Sequence, residues 1–171
     1  LLGANLDLAA RAPFTSELEK LFEEIGGEQT REVIFSSMVY FPKSEGTRLV
    51  QVRALGRGFP FYGEFQTSPP DAATNFHNGG ALVEQTLLYQ FNSQPGDQVK
   101  IGELTMPIAG SLEKVPGENA VFSTIAPRVY IPFDKLDATQ LVREDSFARF
   151  KVFFKLPESV DTDALVRRYR P

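Results

Sequence analysis

The sequence predicts an α+β fold in which a lobe of mixed sheet with packed helices is interrupted by a small β-rich lobe. Three observations predict it. The chain begins with a strand, a helix and a hairpin, it ends with a strand and a helix, and the stretch between them holds short strands separated by turn residues. We therefore expect residues 1–66 and 147–171 to form one discontinuous lobe, and residues 67–146 to form a smaller lobe inserted into it.

The amino-terminal part alternates between strand and helix patterns. Residues 5–10 alternate along the chain and predict a strand. Residues 16–25 carry Leu, Phe and Ile at the spacing of one helix face, with Thr15 or Ser16 as the cap and two glycines after the last apolar residue. Residues 31–55 predict a β-hairpin around the polar turn PKSEGT, with most positions buried on both faces.

The middle of the chain is punctuated by turn residues. Residues 67–80 hold the densest group of Pro, Asp, Asn and Gly, and we place the lobe boundary there. Residues 81–91 are interpreted as a helix. We expect two short strands at 98–104 and 105–110 and a further strand at 128–132. One helical turn is expected at 133–138.

The carboxyl-terminal part predicts a strand followed by a helix. Residues 147–156, FARFKVFFKL, form the strongest strand pattern in the chain, and Asp161 or Thr162 can cap the last helix. That helix ends in a basic cluster, Arg167, Arg168 and Arg170. The cluster could lie near lipid head groups, but cations are also favoured at any helix carboxyl terminus, and we prefer the second interpretation.

Composition excludes several function classes. Cys is absent, which excludes a thiol nucleophile, a Cys-ligated zinc site, an iron–sulfur cluster and disulfides. The single histidine, His77, excludes any site that needs two imidazoles. With 22 acidic and 18 basic residues the net charge is −4, which disfavours nucleic acid as a partner. The chain begins LLGANLDL, without Met, and we expect it to be a piece of a longer protein.

No catalytic, cofactor-binding or metal-ligating residue is assigned. His77 lies in the Gly-rich stretch FHNGG with Asp71 as the nearest acid, and we interpret it as a surface loop residue. The carboxylates of the first helix (Glu17, Glu19, Glu23 and Glu24) are expected to face solvent mostly. A glycosidase-like pair would need two converging carboxylates, and the motifs of calcium loops and zinc proteases are absent.

An aromatic loop is the one candidate contact site. Residues 56–63, GRGFPFYG, resemble a phosphate-binding loop only loosely, because no Lys-Ser/Thr follows and Pro60 lacks an N–H donor. Phe59, Phe61 and Tyr62 could contact a partner or an apolar ligand. The alternative, which we favour, is that these rings fill the gap between the two lobes.

Several segments resemble one family of membrane proteins. The start, LLGANLDLAARAPF, resembles the beginning of the extracytoplasmic domain of FtsX-like ABC transporter permeases. Three further segments, ALGRGFPFYGE, PGDQVKIGE and APRVYI…LDATQLV, occur in the order seen in the YbbP-like branch of that superfamily. The chain is therefore similar to a MacB-like periplasmic core domain over nearly its whole length. A departure is that it stops at Pro171, where such domains run on, so the first lobe is expected to be incomplete.

The resemblance implies a fold and a function. Domains of this family have a porter-like α+β lobe interrupted by a small β-rich lobe. The parent permease is expected to pair with a second permease copy and a cytoplasmic ABC ATPase, and to handle a lipid-like or hydrophobic substrate or a periplasmic protein. The domain itself is then not an enzyme and needs no cofactor. It would lie on the periplasmic side of the inner membrane, and the isolated fragment is expected to be monomeric.

Two other function classes remain open. The chain could be a free-standing extracytoplasmic module that binds a ligand or a protein without transport. It could also be a hydrolase with an unrecognised pair of carboxylates. The flanking sequence distinguishes the binding module from a transporter, and a pocket with two facing carboxylates would support the hydrolase.

Overall fold

The structure, a computed structural model, describes residues 6–58, 66–114, 126–143, 145–157 and 159–169. Its nine described strands form a single mixed sheet. The strands are β1 (Leu6–Ala10), β2 (Glu28–Phe41), β3 (Gly46–Leu55), β4 (Gln66–Ser68), β5 (Ala81–Glu84), β6 (Gln98–Ile101), β7 (Leu104–Lys114), β8 (Arg128–Pro132) and β9 (Ala148–Lys155). The helices are α1 (Ser16–Ile25), α2 (Ala72–His77), α3 (Gln85–Gln90), α4 (Leu136–Thr139) and α5 (Thr162–Tyr169), with a 3₁₀ turn (Phe133–Lys135) before α4.

Six of these strands close into a ring in the order β2, β3, β8, β5, β7 and β6. Two neighbouring pairs in the ring, β3–β8 and β5–β7, are parallel, and the other four are antiparallel. The inward side chains of the ring form the largest core cluster, in which the rings of Phe41 and Phe91 stack with centroids 4.5 Å apart. Closure removes most free strand edges, whose unpaired backbone groups would otherwise be open to pairing with another chain.

The long strand β2 belongs both to the ring and to a three-stranded extension of the sheet. Near its carboxyl end it pairs with β6 in the ring, while its amino-terminal half pairs with β9, which in turn pairs with β1. Helix α1 covers this three-stranded extension through Phe22, which packs on Val152 and Phe154 of β9. The burial of one apolar face of α1 on the sheet explains its leucine and phenylalanine spacing.

The sequence-based elements at both ends are confirmed. Helix α1 spans 16–25 as predicted, with Thr15 as its cap, accepting a hydrogen bond from the Leu18 backbone N–H at 3.3 Å, and with Gly26 at its carboxyl end in a positive-φ conformation. The hairpin is confirmed as β2 and β3, although its outward face is largely exposed in the middle. The mixed α+β sheet is likewise confirmed.

One element of the middle segment was predicted wrongly, and another was not predicted at all. Residues 81–91 begin as strand β5 and only then become helix α3, because an apolar run of this length fits a buried strand as well as a helix. The turn-rich segment 67–80 contains the short helix α2. Phe76 of this helix packs in a cluster on the outer side of β3, β5, β7 and β8, which stabilises a helix that its own sequence does not favour.

The predicted division into 1–66 plus 147–171 and 67–146 stays a prediction. Strand β3 pairs with β8 across that division, and the largest core cluster takes residues from both sides. Within the described ranges, no helix combines the length and the apolar character needed to cross a membrane.

Candidate functional site

A groove of about 310 Å³ lies between α1 and the helical turn that follows β8. Val33 of β2 and Phe150 of β9 line it from the sheet. Phe14 lines it from the α1 side, and Phe133 and Leu136 line it from the other. The groove is therefore mostly apolar, and its walls come from segments far apart in sequence.

One of the two cations that line this groove, Arg31, is already neutralised. The Arg31 guanidinium donates to both Glu19 carboxylate oxygens, at 3.1 and 2.6 Å. It also lies over the rings of Phe14 and Phe22, at 5.6 and 5.2 Å from their centroids. This geometry favours a structural role for Arg31, because the N–H donors of its guanidinium bind Glu19 and the guanidinium plane lies against the two rings.

A smaller recess of about 190 Å³ lies where β3 and β8 end. Arg57 lines it and donates from Nη2 to the His77 carbonyl oxygen at 3.2 Å. Partial burial, and then the charge of Arg57, lower the pKa of His77 from its ordinary value of 6.5. His77 is therefore half-buried at the end of α2 and neutral at pH 7, where the sequence predicted a surface loop residue.

The predicted contact residues Phe59, Phe61 and Tyr62 lie outside the described residues. Their role stays a prediction. The recess beside Arg57 and Gly56 is the described surface nearest to them along the chain, because Arg57 precedes Phe59 by two positions.

A buried polar network joins three strands of the ring. Arg53 Nε donates to Glu32 Oε1 at 2.5 Å, and its Nη2 contacts the same oxygen. Arg53 Nη1 donates to the Tyr130 hydroxyl at 3.1 Å, and burial raises the pKa of Tyr130. Glu32 Oε2 and Thr30 Oγ1 are buried and find no hydrogen-bond partner among the described residues. The network thus connects β2, β3 and β8 on the outer side of the sheet.

A second buried carboxylate is held in a similar way. Glu84 Oε2 accepts from the Arg128 backbone N–H at 2.6 Å, and Glu84 Oε1 accepts from its guanidinium at 3.3 Å. This pair joins β5 to β8. The sequence analysis missed both networks, although Glu32 and Arg53 within an apolar hairpin were a signal that could have indicated buried ion pairs.

The described carboxylates do not gather into a metal-binding cluster. Glu32 and Glu84, the two buried ones, are each committed to an arginine. Glu17, Glu23 and Glu24 are exposed on α1 as predicted, and Glu19 pairs with Arg31. Across the described ranges, no three His, Asp or Glu side chains are close enough together to bind a metal ion.

Comparison with known proteins identifies the relatives. The sequence profile of the MacB-like periplasmic core domain matches residues 3–171. The uncharacterized ABC transporter permease YbbP of Escherichia coli (strain K12) is 26% identical over 124 residues, which are 72% of this chain and 15% of YbbP. The chain therefore spans less than a fifth of the length of that relative. The resemblance found in the sequence, to this family and to the YbbP-like branch, is confirmed.

Two solved structures share the fold. The extracellular domain of the noncanonical ABC-type transporter YknZ from Gram-positive bacteria aligns with a TM-score of 0.56 at 15% identity, covering 89% of this chain and 77% of that one. A domain assigned to a permease protein from Porphyromonas gingivalis aligns with a TM-score of 0.53 at 14% identity, covering 88% and 71%. At these identities the two structures support the fold alone.

Proposed function

The chain belongs to the MacB-like periplasmic core domain family, and on that premise we propose that it is the non-catalytic periplasmic domain of an ABC transporter permease. In this proposal the domain couples ATP hydrolysis by a cytoplasmic ATPase to the handling of a lipid-like or hydrophobic substrate, or to a periplasmic protein. The parent permease acts as a pair of copies. The single observation that carries the proposal is the family match over residues 3–171.

The braced sheet supports a mechanical role. A domain can transmit movement only if its states differ in the contacts they make, and a stiff domain passes displacement on with little loss. The ring of six strands and the ion pairs Glu32–Arg53 and Glu84–Arg128 oppose internal deformation. We infer that the domain moves as a rigid body when the ATPase binds or hydrolyses ATP.

Pulsed electron paramagnetic resonance on the reconstituted parent transporter tests the coupling. A spin label at exposed Glu24 in each copy reports the distance between two domains. We expect this distance to differ between the nucleotide-free and ATP-trapped states. A label at Tyr89, exposed on a different helix, serves as the rigid-body control and should change in concert. Identical distances in both nucleotide states would rule out the coupling.

We propose Phe59, Phe61 and Tyr62 as a contact surface for the substrate or partner. The recess lined by Gly56 and Arg57, which precede this segment in the sequence, supports the proposal. Phe61→Ala and Tyr62→Ala are expected to reduce partner binding or transport in protein that still folds. Tyr89→Ala is the matched control, because it removes an exposed ring elsewhere. Unchanged transport in the first two variants would eliminate this surface.

The flanking sequence distinguishes transport from a free-standing binding module. About 20 apolar residues just before Leu1, and further such stretches well after Pro171, would establish a membrane permease. A cleaved leader before Leu1 and no membrane span elsewhere would favour the binding module instead.

A further inference from the structure

An apolar patch lies on the outer face of the hairpin formed by β2 and β3. Met38 and Leu49 are opposite each other in the strand register, and their side chains are 53% and 57% exposed. Ile34, half-buried, lies on the same face two pleats along β2. We call these three residues the outer patch. In a β-sheet, exposed apolar residues directly opposite each other form one continuous surface.

On the neighbouring strands, the charged residues that lie opposite the outward side chains of β2 near the outer patch are all basic. The outward residues of β2 from Ile34 to Tyr40 are paired with six residues on the neighbouring strands, none of them acidic: Arg149, Arg53, Gln51, Leu49, Thr47 and Lys100. Arg53 is committed to Glu32, whereas Arg149 and Lys100 are exposed at the two ends of this row. The chain as a whole has a net charge of −4, so this face differs in sign from the average surface.

A gap in the sheet borders the outer patch. On the side of β2 away from β3, pairing with β9 ends at Phe35 and pairing with β6 begins at Val39. Met38 lies at this gap, and Phe147, fully exposed, precedes β9 at its border. Exposed apolar side chains thus border this gap on β2 and just before β9, which enlarges the apolar surface open to a partner.

We propose that the outer patch docks an acidic protein segment with interspersed apolar side chains. Apolar contact with Met38 and Leu49 supplies affinity, and the cations Arg149 and Lys100 select acidic flanks. This inference rests on the proposed function only for its periplasmic setting. It names the chemistry of the protein partner and assigns it to residues other than Phe59, Phe61 and Tyr62.

Methyl NMR on the 171-residue chain tests the docking directly. One of its two methionines lies in the outer patch, and the other provides a control within the same molecule. Met38 is exposed in the outer patch, whereas Met106 is 2% exposed in the ring core. The probe is a short synthetic peptide of alternating Leu and Glu. The comparison peptide has Lys in place of each Glu. We expect the Glu peptide to shift the Met38 methyl signal saturably, with Met106 unchanged and the Lys peptide without effect.

Charge reversal provides the matched variants. Arg149→Glu is expected to weaken the binding of the Glu peptide by about tenfold, since it turns an attraction at an exposed position into a repulsion. Tyr89→Asp, at an exposed position elsewhere, should leave the affinity unchanged.

Three results would overturn the proposal. The first is a Met38 signal that does not respond to the Glu peptide, or that responds equally to both peptides. The second is a response to anionic phosphatidylglycerol vesicles alone, which would make this face a membrane contact. The third is a Met38 shift that grows with protein concentration without peptide, which would make it a contact between copies. None of these depends on ATP, so failure here is distinct from failure of the proposed coupling.

Discussion

At the scale of single residues, buried charges hold the sheet together. The Glu32 side chain is fully buried and the Arg53 side chain nearly so, whereas Glu19 and Arg31 form their pair at the groove surface. Breaking a buried pair leaves one uncompensated charge away from water, while an exposed pair is replaced by hydration. The two pairs allow the effect of burial to be measured within one molecule.

Glu32→Gln is expected to lower the free energy of unfolding by about 3–5 kcal/mol, because the Arg53 guanidinium then lacks its carboxylate. Glu19→Gln, the exposed control, should cost less than about 1 kcal/mol. Urea denaturation measures both losses, provided that the slope of the free energy of unfolding against urea concentration is unchanged. Equal losses in the two variants would show that burial is not what makes the Glu32 pair important.

His77 makes stability depend on pH near neutrality. Its pKa in the folded chain lies below the ordinary 6.5, through partial burial and the charge of Arg57. Between these two pKa values the unfolded chain binds a proton that the folded chain does not. The contribution of His77 to stability is therefore fully present above pH 6.5 and falls as the pH drops towards the folded pKa.

His77→Gln should reduce the dependence of the free energy of unfolding on pH in this range. In the parent chain, NMR titration of the His77 ring protons should give a pKa below 6.5. Arg57→Gln should raise that pKa while leaving the burial effect in place. A ring that titrates at or above 6.5 in the parent chain would contradict the assignment.

At the scale of elements, a tight turn positions the helical segment that lines the groove. Gly102 lies between β6 and β7 at φ +57°, and a Cβ there would meet the Thr139 carbonyl oxygen. The Glu103 backbone N–H donates to the same oxygen at 3.0 Å. The turn therefore holds the end of α4, the helix that contributes Leu136 to the groove.

Gly102→Ala is expected to destabilise the chain more than Gly96→Ala. Both positions have positive φ, which costs an alanine about 1–2 kcal/mol. A Cβ added at Gly96 would meet no atom within 4 Å, so that variant measures the conformational cost alone. The collision with Thr139 should add about 1–3 kcal/mol at Gly102. Thermal unfolding of the two variants measures the difference, and equal melting temperatures would contradict the packing argument.

At the scale of the whole molecule, the ring makes distant parts of the chain depend on one another. Val52 of β3 and Val83 of β5 lie on either side of the predicted lobe boundary, yet both belong to the largest core cluster. Removing either side would expose the apolar surface of the other. Chains with one shared core of this kind usually unfold in a single step.

We therefore expect one cooperative unfolding transition. Hydrogen exchange in β3 and in β5 should report the same free energy of opening, equal to that from circular dichroism in urea. Earlier exchange throughout 67–146 would contradict this expectation and would support an independently folding inserted lobe.

Local patterns were sufficient where neighbours in sequence are also neighbours in space. The helix at 16–25 and the hairpin predicted at 31–55 depend on spacing within a few residues or across one turn, so periodicity and capping residues predicted them. Segment 81–91 is different. Its first four residues form a strand only because β7 and β8 lie on either side of it.

The sequence by itself determined the α+β class, the terminal elements and the family, because these depend on local spacing and on the order of segments along the chain. Only the tertiary structure decided the closure of the ring, the pairing of Glu32 with Arg53, the groove beside α1 and the outer patch. The ring and the groove depend on contacts between distant segments, while the ion pair and the outer patch depend on the register within the hairpin and on what covers its outer face. A shift of one residue reverses which side chains face inward, and no local pattern encodes that choice.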